Sequence, residues 1–288
     1  MNTGLPMSFD RIMRAITPPI ILDLARHLAW QVRFHLSGEK SLLRKNASLM
    51  GVGKGRRAFV LATGPSIRSQ DLSRLKGEDC YSVSNFFLHD AVKILKPKFH
   101  FFAPYHPPLV LENYIEWLRV SDKALPEETR IFLGHATRSL VEEHGLFPER
   151  ELHYLYLSGS SGLNRADITG PVMGPQTGPL MIIPVLFYMD YEEIYLVGCD
   201  HNSLRDYKKQ ITNFYEAGQD PRRNATDAGV WEGIIGSHTD SRNVFIQYEK
   251  YQALSRARGN RPRLINLSPN SWLDFVDSQV FEAVCKKG

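Results

Sequence analysis

The feature of this sequence that most restricts its fold is the alternation of short apolar runs with helical patterns from Arg57 onward. Seven runs rich in β-branched and aromatic residues predict strands, at residues 58–62, 80–84, 99–103, 130–134, 152–157, 193–199 and 263–268. Helical patterns lie between several of these runs, at residues 109–120, 136–145, 179–189 and 245–259. Strands that are apolar almost throughout are covered on both faces, and strands that alternate with helices form parallel sheets. The sequence therefore predicts an α/β, Rossmann-like fold with a mostly parallel sheet and helices on both faces.

One long segment interrupts this alternation. Residues 157–179 read LSGSSGLNRADITGPVMGPQTGP, and their Gly, Ser and Pro content predicts a loop without regular structure. Loops of this length inside compact domains tend to be functional or mobile. The GSSG within it is not the G-x-S-x-G turn of a serine hydrolase, so that class of enzyme gains little support.

The positive charge of the chain is concentrated near its N-terminus. The whole chain has a formal net charge of +4, whereas residues 1–57 carry ten Lys and Arg against three Asp and Glu. Within this segment, residues 17–36 predict a helix, because Thr17 can act as N-cap and the two prolines that follow suit a first turn. We therefore divide the chain into a basic amphipathic arm, residues 1–56, and a main α/β domain, residues 57–288.

The helix of this arm has two interpretations. An aliphatic stripe with helical spacing is formed by Ile21, Leu24, Ala25, Leu28 and Val32. In one interpretation, the stripe packs on the core of the domain. In the other, the helix lies on an anionic membrane surface, with Trp30 and Phe34 at the level of the lipid headgroups. Nucleic-acid binding is not expected, because the basic residues are not interleaved with stacking aromatics and no reader motif is present.

Cysteine usage and hydropathy bear on the location of the protein. Cys80, Cys199 and Cys285 are far apart, with no C-x-x-C pair and no zinc-ligand spacing, so a disulfide scaffold or a structural zinc site is not expected. No apolar run reaches the roughly 20 residues of a membrane span, and the N-terminus does not have the ordered regions of a signal peptide. We expect a cytoplasmic protein.

Ligands of open α/β sheets bind beyond the carboxyl ends of the strands, so the residues after each predicted strand are candidates for a site. The first strand runs into Thr63–Ser66, where glycine permits a close backbone approach and the following turn offers N–H groups to an anion. A tight turn made for packing explains this segment equally well. After the long loop, Gln176–Pro179 opens an apolar helix with a hydroxyl and with backbone amides, which predicts a second anion site.

Two further strand ends carry polar residues, and so does the segment GSHTDS, residues 236–241. Asn85 follows the second strand, and Asp200-His201-Asn202 follows the sixth. His201 beside Asp200 resembles part of a metal site, but no third ligand follows at a fixed spacing, so we predict no metal. His238 lies in GSHTDS, where we expect a polar loop with Asp240 able to orient the imidazole.

In chain order, these segments resemble a known family. The blocks GPSIRSQDLSRL, SNFF, TG before an apolar helix, DYEEIYLVGCD, GSHTDS and INLSPNSWLDF are similar to those of bacterial CMP-sialic-acid-dependent sialyltransferases of the lipooligosaccharide type. They also resemble the related motility accessory factor glycosyltransferases and the 6-hydroxymethylpterin diphosphokinase-like domains. The resemblance covers residues 57–276, and its specificity comes from the order of the blocks.

The resemblance implies a role for the residues at these positions, including some that depart from the family pattern. It implies donor-nucleotide binding by Thr63, Gly64, Pro65, Ser66, Asn85, Thr177, Gly178, Asp200, Asn202, Tyr207, Pro269, Asn270 and Ser271, and general-base catalysis by His238. Within this set, Thr177 and Gly178 stand at the motif that holds the sugar and phosphate of the donor. The last three stand near the cytidine.

Three positions depart from the pattern of the family. Thr63 replaces the asparagine expected before Gly64, and FFAPYH does not contain the asparagine expected after the third strand. Asn202 stands two residues past Asp200, where a tyrosine is expected, which leaves Tyr207 as a candidate partner of the phosphate. These departures concern the identity of the donor more than the fold.

The resemblance implies a metal-independent glycosyltransferase of lipopolysaccharide biosynthesis. It would move sialic acid or a related nonulosonic acid from a CMP-activated donor to a glycan or glycolipid acceptor, without a cofactor. The basic arm suits a position at the inner face of the cytoplasmic membrane. A magnesium-dependent diphosphokinase-like enzyme and a non-catalytic nucleotide-binding module are the alternatives.

Overall fold

The computed structural model describes residues 19–107, 109–159, 166–206, 213–222 and 233–285. Within them, one sheet is built from β1 (Arg57–Leu61), β2 (Asp79–Val83), β3 (Phe99–Phe102), β4 (Arg130–Gly134), β5 (Leu152–Ser158), β6 (Pro171–Met173), β7 (Glu193–Val197), β8 (Arg263–Asn266) and β9 (Asp277–Ser278). The strand order is β6-β5-β4-β3-β2-β1-β7-β8-β9, and every neighbouring pair is parallel. The predicted parallel α/β fold is confirmed.

Helices cover both faces of this sheet. They are α1 (Pro19–Ser37), α2 (Lys40–Leu43), α3 (Val92–Leu95), α4 (Leu111–Ala124), α5 (Arg138–His144), α6 (Pro179–Tyr188), α7 (Ile234–Ala257) and α8 (Phe281–Val284). Successive strand residues point to opposite faces. On β1, Phe59 and Leu61 therefore join one apolar core, with α4 and α5, whereas Ala58 and Val60 join the other, with α6 and α7.

All seven predicted strands are present, and the structure adds β6 and β9. Strand β6 lies inside residues 157–179, where the sequence predicted no regular structure. Its three residues pair with the end of β5, Tyr156 with Pro171 and Ser158 with Met173. A strand this short is stabilised by the neighbouring strand, so local composition does not reveal it.

The order of the strands creates a switch point. From β1 to β6 the sheet grows toward one edge, and from β7 to β9 it grows toward the other, so β1 and β7 are neighbours although the other strands separate them in sequence. Such a reversal opens a crevice beyond the carboxyl ends of the two strands, which is the usual ligand site of open α/β sheets.

Helix α1 packs on the domain with the face opposite to the one expected. Trp30 and Phe34 contact Tyr156 of β5, with ring centroids 6.4 and 5.0 Å apart. Phe34 is buried, whereas Leu28 and Val32 are 55% and 59% exposed. The aliphatic stripe therefore does not pack on the core; Trp30 and Phe34 pack there instead, because the larger aromatic side chains fill the space beside β5.

The segment after α1 is tied to the sheet by a buried asparagine. The Asn46 Nδ2 amide donates to the backbone oxygens of Tyr154 and Ile168, both at 2.8 Å. Its Oδ1 lies 3.0 Å from Nδ1 of His153, and burial lowers the pKa of this histidine to about 4. Leu43 is fully buried beside these contacts. The division of the chain at residue 56 stays a prediction.

The three cysteines are unpaired and buried. Burial raises the pKa of Cys80 and Cys199 far above the ordinary thiol value, so both are neutral thiols near pH 7. Among the described residues, no helix combines the length and the apolar character needed to cross a membrane.

Candidate active site

Gly64, Ser66, Gly198 and Asp200 form a packed group at the switch point, which we call the crossover cluster. The Gly64 N–H donates to the Gly198 carbonyl at 2.9 Å, and the Ser66 N–H donates to Asp200 Oδ2 at 3.0 Å. A Cβ atom on Gly64 would lie 2.3 Å from that carboxylate oxygen and 2.4 Å from the Gly198 oxygen. Only glycine fits there, so the cluster fastens the loop after β1 to the loop after β7.

Asp200 is the one ionisable group of this cluster. Its side chain is almost fully buried, and Oδ1 has no hydrogen-bond partner in the described part of the chain. Burial raises the pKa of Asp200 above its ordinary value of 3.8, and the hydrogen bond from Ser66 opposes that shift. The carboxylate is thus held ionised only at a cost in stability.

A turn after β8 packs against the same loop. The Cys199 N–H donates to Ser268 Oγ at 2.8 Å, and Ser271 Oγ donates to the Cys199 carbonyl at 2.8 Å. Asn202 Nδ2 donates to the Asn270 carbonyl at 3.4 Å. The structure therefore brings together residues that the sequence singled out in two distant segments.

Beside the crossover cluster, a cavity of about 510 Å³ opens along the carboxyl ends of β1, β2, β3 and β5. We call it the edge cavity. Its polar lining includes Thr63, Ser84, His106, Thr177 and Arg222. Its volume is within the range of small-molecule sites, about 300–1,000 Å³, so it can hold a ligand of nucleotide size.

Helix α6 begins in the wall of the edge cavity. The Leu180 and Met181 N–H groups donate to the Thr177 and Gly178 carbonyls at 3.0 Å, and Pro179 has no N–H. An anion at this helix start would therefore meet the Thr177 hydroxyl and the amides of Thr177 and Gly178. A Cβ on Gly178 would lie only 2.8 Å from the Val83 side chain, so glycine sets the approach of α6 to β2.

Asn85 does not line the edge cavity. It is fully buried, and its Oδ1 accepts a hydrogen bond from Trp117 Nε1 at 2.5 Å. Trp117 of α4 does line the cavity. Asn85 therefore contributes to the site by fixing an aromatic wall.

His100 of β3 fixes the floor of the edge cavity. Its Nε2 donates to the Ser84 carbonyl at 2.9 Å, so Nδ1 accepts from the Ser82 hydroxyl at 2.7 Å. Ser84 has a φ of +57°, a left-handed conformation that is uncommon for a serine. Complete burial lowers the pKa of His100 to about 3. The neutral ring holds the strained residue in place.

Residues 213–222 cross the carboxyl edge of the sheet, and we call them the strap. The Phe214 N–H donates to the Thr63 carbonyl at 3.1 Å. Arg68 Nε in turn donates to the Phe214 carbonyl at 2.9 Å. The far end of the strap brings Arg222 into the lining of the edge cavity.

The segment GSHTDS is part of helix α7 and not the polar loop expected from the sequence. The Ser237 N–H donates to the Gly233 carbonyl at 3.1 Å, and Thr239 Oγ1 donates to the Ile235 carbonyl at 2.7 Å, both with helical spacing. Gly, Ser, Thr and Asp are weak helix formers, which explains the wrong expectation. Packing of the buried residues further along α7 outweighs this local preference.

His238 is exposed on the first turns of α7. His238 and Gln247 lie on opposite sides of α7, because they are nine residues apart and a helix turns by about 100° per residue. Gln247 Oε1 accepts from the Gln176 N–H at 2.8 Å and so holds the cavity wall. Asp240 lies two residues after His238, and residues at that spacing on a helix do not face each other, so it does not orient the ring. Among the described residues, no hydrogen bond or ion pair joins His238 to the other predicted site residues.

His201, the other histidine considered, is partly buried beside α7. Its Nε2 lies 3.0 Å from the Tyr248 hydroxyl, and burial lowers the pKa of His201 to about 4. It is therefore neutral near pH 7. Tyr207, the candidate phosphate partner, lies outside the described residues.

The predicted residues thus fall into groups. Thr63, Thr177 and Gly178 line the edge cavity; Gly64, Ser66 and Asp200 form the crossover cluster; Asn202, Asn270 and Ser271 join the adjacent turn. Pro65 opens the short turn Pro65–Ser69 beside the cluster, and Pro269 is exposed in the adjacent turn.

Sequence reasoning did not single out three residues of the cavity lining, His106, Trp117 and Arg222. His106 follows β3 and was within reach of the same strand-end rule that selected Thr63. Trp117 and Arg222 come from a helix and from the strap, where no motif marks them. Among the described residues, no three His, Cys, Asp or Glu side chains lie close enough together to hold a metal ion.

No family model matches the chain, and no curated protein matches it either. Among solved structures, it is similar to the sialyltransferase CstII from Campylobacter jejuni in complex with the substrate analogue CMP-3FNeuAc, at 14% identity over 77% of this chain and 86% of that chain, with a TM-score of 0.43. It is also similar to the sialyltransferase CST-II in complex with a trisaccharide acceptor and CMP, at 15% identity over 81% of this chain and 89% of that chain, with a TM-score of 0.45. For CstII from Campylobacter jejuni in complex with cytidine-5'-monophosphate, the identity is 17% over 78% of this chain and 85% of that chain, and the TM-score is 0.43. Likeness at this level assigns no activity to this chain.

Proposed function

We propose that the chain is a glycosyltransferase that moves sialic acid or a related nonulosonic acid from a CMP-activated donor to a glycan or glycolipid acceptor. The order of the sequence motifs supports the reaction class. The observation that carries the proposal is that Thr63, Thr177 and Gly178, which the motifs select as donor contacts, all line one cavity at the carboxyl ends of the strands.

In this reaction an acceptor hydroxyl attacks the anomeric carbon of the donor sugar. The new carbon–oxygen bond forms as the bond to the phosphate oxygen breaks, and CMP leaves with the electron pair. The hydroxyl proton must go to a base, because a sugar hydroxyl is a poor nucleophile near pH 7. We assign that role to His238, on the strength of its place in the motif GSHTDS.

Charge on the leaving phosphate must be stabilised. The Thr177 hydroxyl and the amides of Thr177 and Gly178 are the groups we assign to it, as hydrogen-bond donors directed at developing charge. This arrangement needs no metal or other cofactor. Activity in EDTA is expected to equal activity in magnesium.

Donor binding tests the proposal most directly. Isothermal titration with CMP, UDP, GDP and ATP, each with and without magnesium, should give the tightest binding for CMP, unchanged by the metal. Preference for ATP with magnesium would favour the diphosphokinase-like alternative. Binding of CMP without any hydrolysis or transfer from CMP-sialic acid would favour a non-catalytic nucleotide-binding module.

The assignment of His238 is tested against the histidine that lines the edge cavity. His238→Ala should lower turnover by roughly 10²- to 10⁴-fold with little change in donor affinity, the usual loss for a missing general base. His106→Ala is the matched variant, one histidine changed at the cavity itself. If His106→Ala loses turnover and His238→Ala keeps the parent rate, the base is His106.

We also propose that α1 contacts an anionic membrane at its cytoplasmic face. The side chains of Ile21, Leu24, Leu28, Val32 and Leu36 form an aliphatic stripe that is 49–82% exposed. Exposed basic residues lie on and just after the helix, at Arg33, Lys40, Arg44 and Lys45. An aliphatic face flanked by positive charge is typical of helices that lie in the headgroup layer of anionic bilayers.

Vesicle sedimentation tests this contact with point variants, because truncation would remove core residues such as Leu43. The double variant Leu28→Glu with Val32→Glu should bind phosphatidylglycerol vesicles at least about tenfold more weakly than the parent. Val280→Glu, at a residue that is 66% exposed elsewhere, is the control and should bind like the parent. Parent binding that is equal for phosphatidylcholine vesicles, or insensitive to salt, would contradict the proposal.

A further inference from the structure

The edge cavity is lined by an arginine side chain, Arg222. In the part of the chain that the structure describes, Arg222 is the one Lys or Arg in the lining, and no Asp or Glu lines the cavity. We propose that Arg222 binds an oxyanion of the ligand, a phosphate or a carboxylate. This inference rests on the proposed function, because it names the chemical group of the donor that the cavity recognises.

Asp220 fixes the direction of the guanidinium. Arg222 Nε donates to Asp220 Oδ1 at 3.0 Å, and Nη2 donates to Oδ2 at 2.6 Å. This two-point pair uses one edge of the planar group, and the edge that carries Nη1 lies outside it; the Tyr215 hydroxyl is a further hydrogen-bond partner of the guanidinium. A fork held in this way presents its remaining donors at a set angle, which suits the planar or tetrahedral oxygens of a carboxylate or phosphate.

Trp117 fixes the plane of the guanidinium. The Arg222 guanidinium carbon lies 4.8 Å from the centre of the Trp117 ring, a cation–π contact. The indole is itself held by its hydrogen bond to Asn85 at 2.5 Å. One cationic group is therefore positioned before any ligand binds. The elements that position it are the turn after β2, helix α4 and the strap. Preorganisation of this kind lowers the entropy lost on binding.

The surroundings favour an anion over a neutral ligand group. The Arg222 and Asp220 side chains are only 24% and 23% exposed, so the guanidinium is partly withdrawn from water. A charge-assisted hydrogen bond formed in such a place is stronger than one at the open surface. The Thr177 hydroxyl in the same lining adds a second donor. Both features match a ligand with negatively charged oxygens.

The test compares three ligands that differ in their oxyanions. Cytidine has none, CMP has a phosphate, and CMP-sialic acid has a phosphate and a carboxylate. Affinities are measured by isothermal titration for the parent, Arg222→Gln and Arg222→Lys. The control is Arg68→Gln, which also removes one positive charge from a contact of the strap but does not alter the cavity lining. Circular dichroism checks that each variant is folded.

Arg222→Gln should weaken the anionic ligands by about 10- to 100-fold, the range for a lost hydrogen bond to a charged group, and leave cytidine unchanged. An equal loss for CMP and CMP-sialic acid assigns the phosphate to Arg222, and a loss for CMP-sialic acid alone assigns the carboxylate. Arg222→Lys keeps the charge without the planar fork and should lose less. Unchanged affinities, an equal loss for cytidine, or an equal loss in Arg68→Gln would overturn the proposal.

Inorganic phosphate and acetate separate this inference from the proposed function. Both probes carry the oxyanion without a nucleotide. Since the chain has four tryptophans, the part of the fluorescence change that Trp117→Phe removes reports on the guanidinium stacked against that ring. If the parent binds no cytidine nucleotide, the proposed function fails, while a fluorescence titration that Arg222→Gln abolishes still supports the oxyanion site. If neither probe nor nucleotide responds to Arg222→Gln, the oxyanion site is wrong.

Discussion

The crossover cluster and the edge cavity lie side by side at the carboxyl edge of one sheet, yet they use their polar groups in opposite ways. In the cluster, the Ser66 N–H and the Gly64 N–H are donated to protein acceptors at 3.0 and 2.9 Å. In the edge cavity, Thr177 and Arg222 instead line an open space of about 510 Å³. Residues that one family pattern groups together as ligand contacts thus divide into a scaffold and a lining.

This difference predicts which property a substitution in each region changes first. A substitution in the crossover cluster acts first on the free energy of unfolding, because its polar groups are bonded to each other and packed without space. A substitution in the edge cavity is expected to act first on ligand affinity, because we propose that its polar groups contact the ligand. Stability and affinity measured on the same variants should therefore separate the two regions.

The largest effect is expected for Gly64→Ala. The new Cβ would be 2.3 Å from Asp200 Oδ2 and 2.4 Å from the Gly198 backbone oxygen. Moving the carboxylate breaks its hydrogen bond with the Ser66 N–H, and moving the backbone oxygen shifts the loop after β7. We expect a loss of about 3 kcal/mol in the free energy of unfolding, the upper part of the range for overpacking, measured by urea denaturation.

Gly170→Ala is the control for that experiment. Nothing lies within 4 Å of the Cβ it would add, so its stability should be within about 0.5 kcal/mol of the parent. Equal stability of Gly64→Ala and Gly170→Ala would break the comparison, because the crossover cluster would then have room for a side chain.

The next effect is expected for Thr177→Val, which removes the hydroxyl from the cavity and keeps the shape of the side chain. Donor affinity should fall at least about tenfold, since a hydrogen bond to a charged group contributes about 1.5–3 kcal/mol. Thr129→Val is the isosteric control. Thr129 lies just before β4, at the amino ends of the strands and away from the cavity, so this variant should bind like the parent. A Thr177→Val variant that loses stability and keeps its affinity would place Thr177 with the scaffold.

The smallest effect is expected for Asp200→Asn, and it is a change in pH dependence. Burial raises the pKa of Asp200 in the folded chain above its ordinary value of 3.8, so the folded state binds this proton more tightly than the unfolded state. The contribution of the group to stability is therefore present at low pH and is lost as the pH rises from about 4 through the raised pKa. Asp200→Asn cannot ionise, so its urea stability should fall less than that of the parent over this range. Parallel stability curves would show that Asp200 is not strained by its burial.

The fold could be predicted from the sequence because the composition of most strands identifies them. Runs such as residues 130–134 and 193–199 are apolar after a charged first residue and are bounded by polar turns, so the parallel sheet could be predicted and is confirmed. Strand β6 escaped prediction because three residues beside Gly and Pro have no periodicity of their own. The start of α7 escaped for a related reason, since Gly236 to Ser241 are weak helix formers and the helix depends on packing elsewhere along its length.

The site was accessible only in part. The strand-end rule found Thr63 and Thr177, because both follow an element whose end can be read from hydropathy. It gave no means to separate a residue that faces a ligand from one that supports a neighbour, as with Asn85, which holds Trp117. Arg222 comes from a strap without a motif, and its place in the cavity depends on contacts between segments far apart in the sequence.

Three histidines with strongly lowered pKa values have a consequence for kinetics. His100 holds Ser84 as a neutral ring with a pKa of about 3, and His153 and His201 have pKa values of about 4. None of the three takes up a proton between pH 5 and 8, so the hydrogen bond from His100 to Ser84 in the cavity floor is kept across that range. An ionisation seen near neutrality in a rate profile therefore does not come from these three rings, and its disappearance in His106→Ala or His238→Ala identifies the proton acceptor.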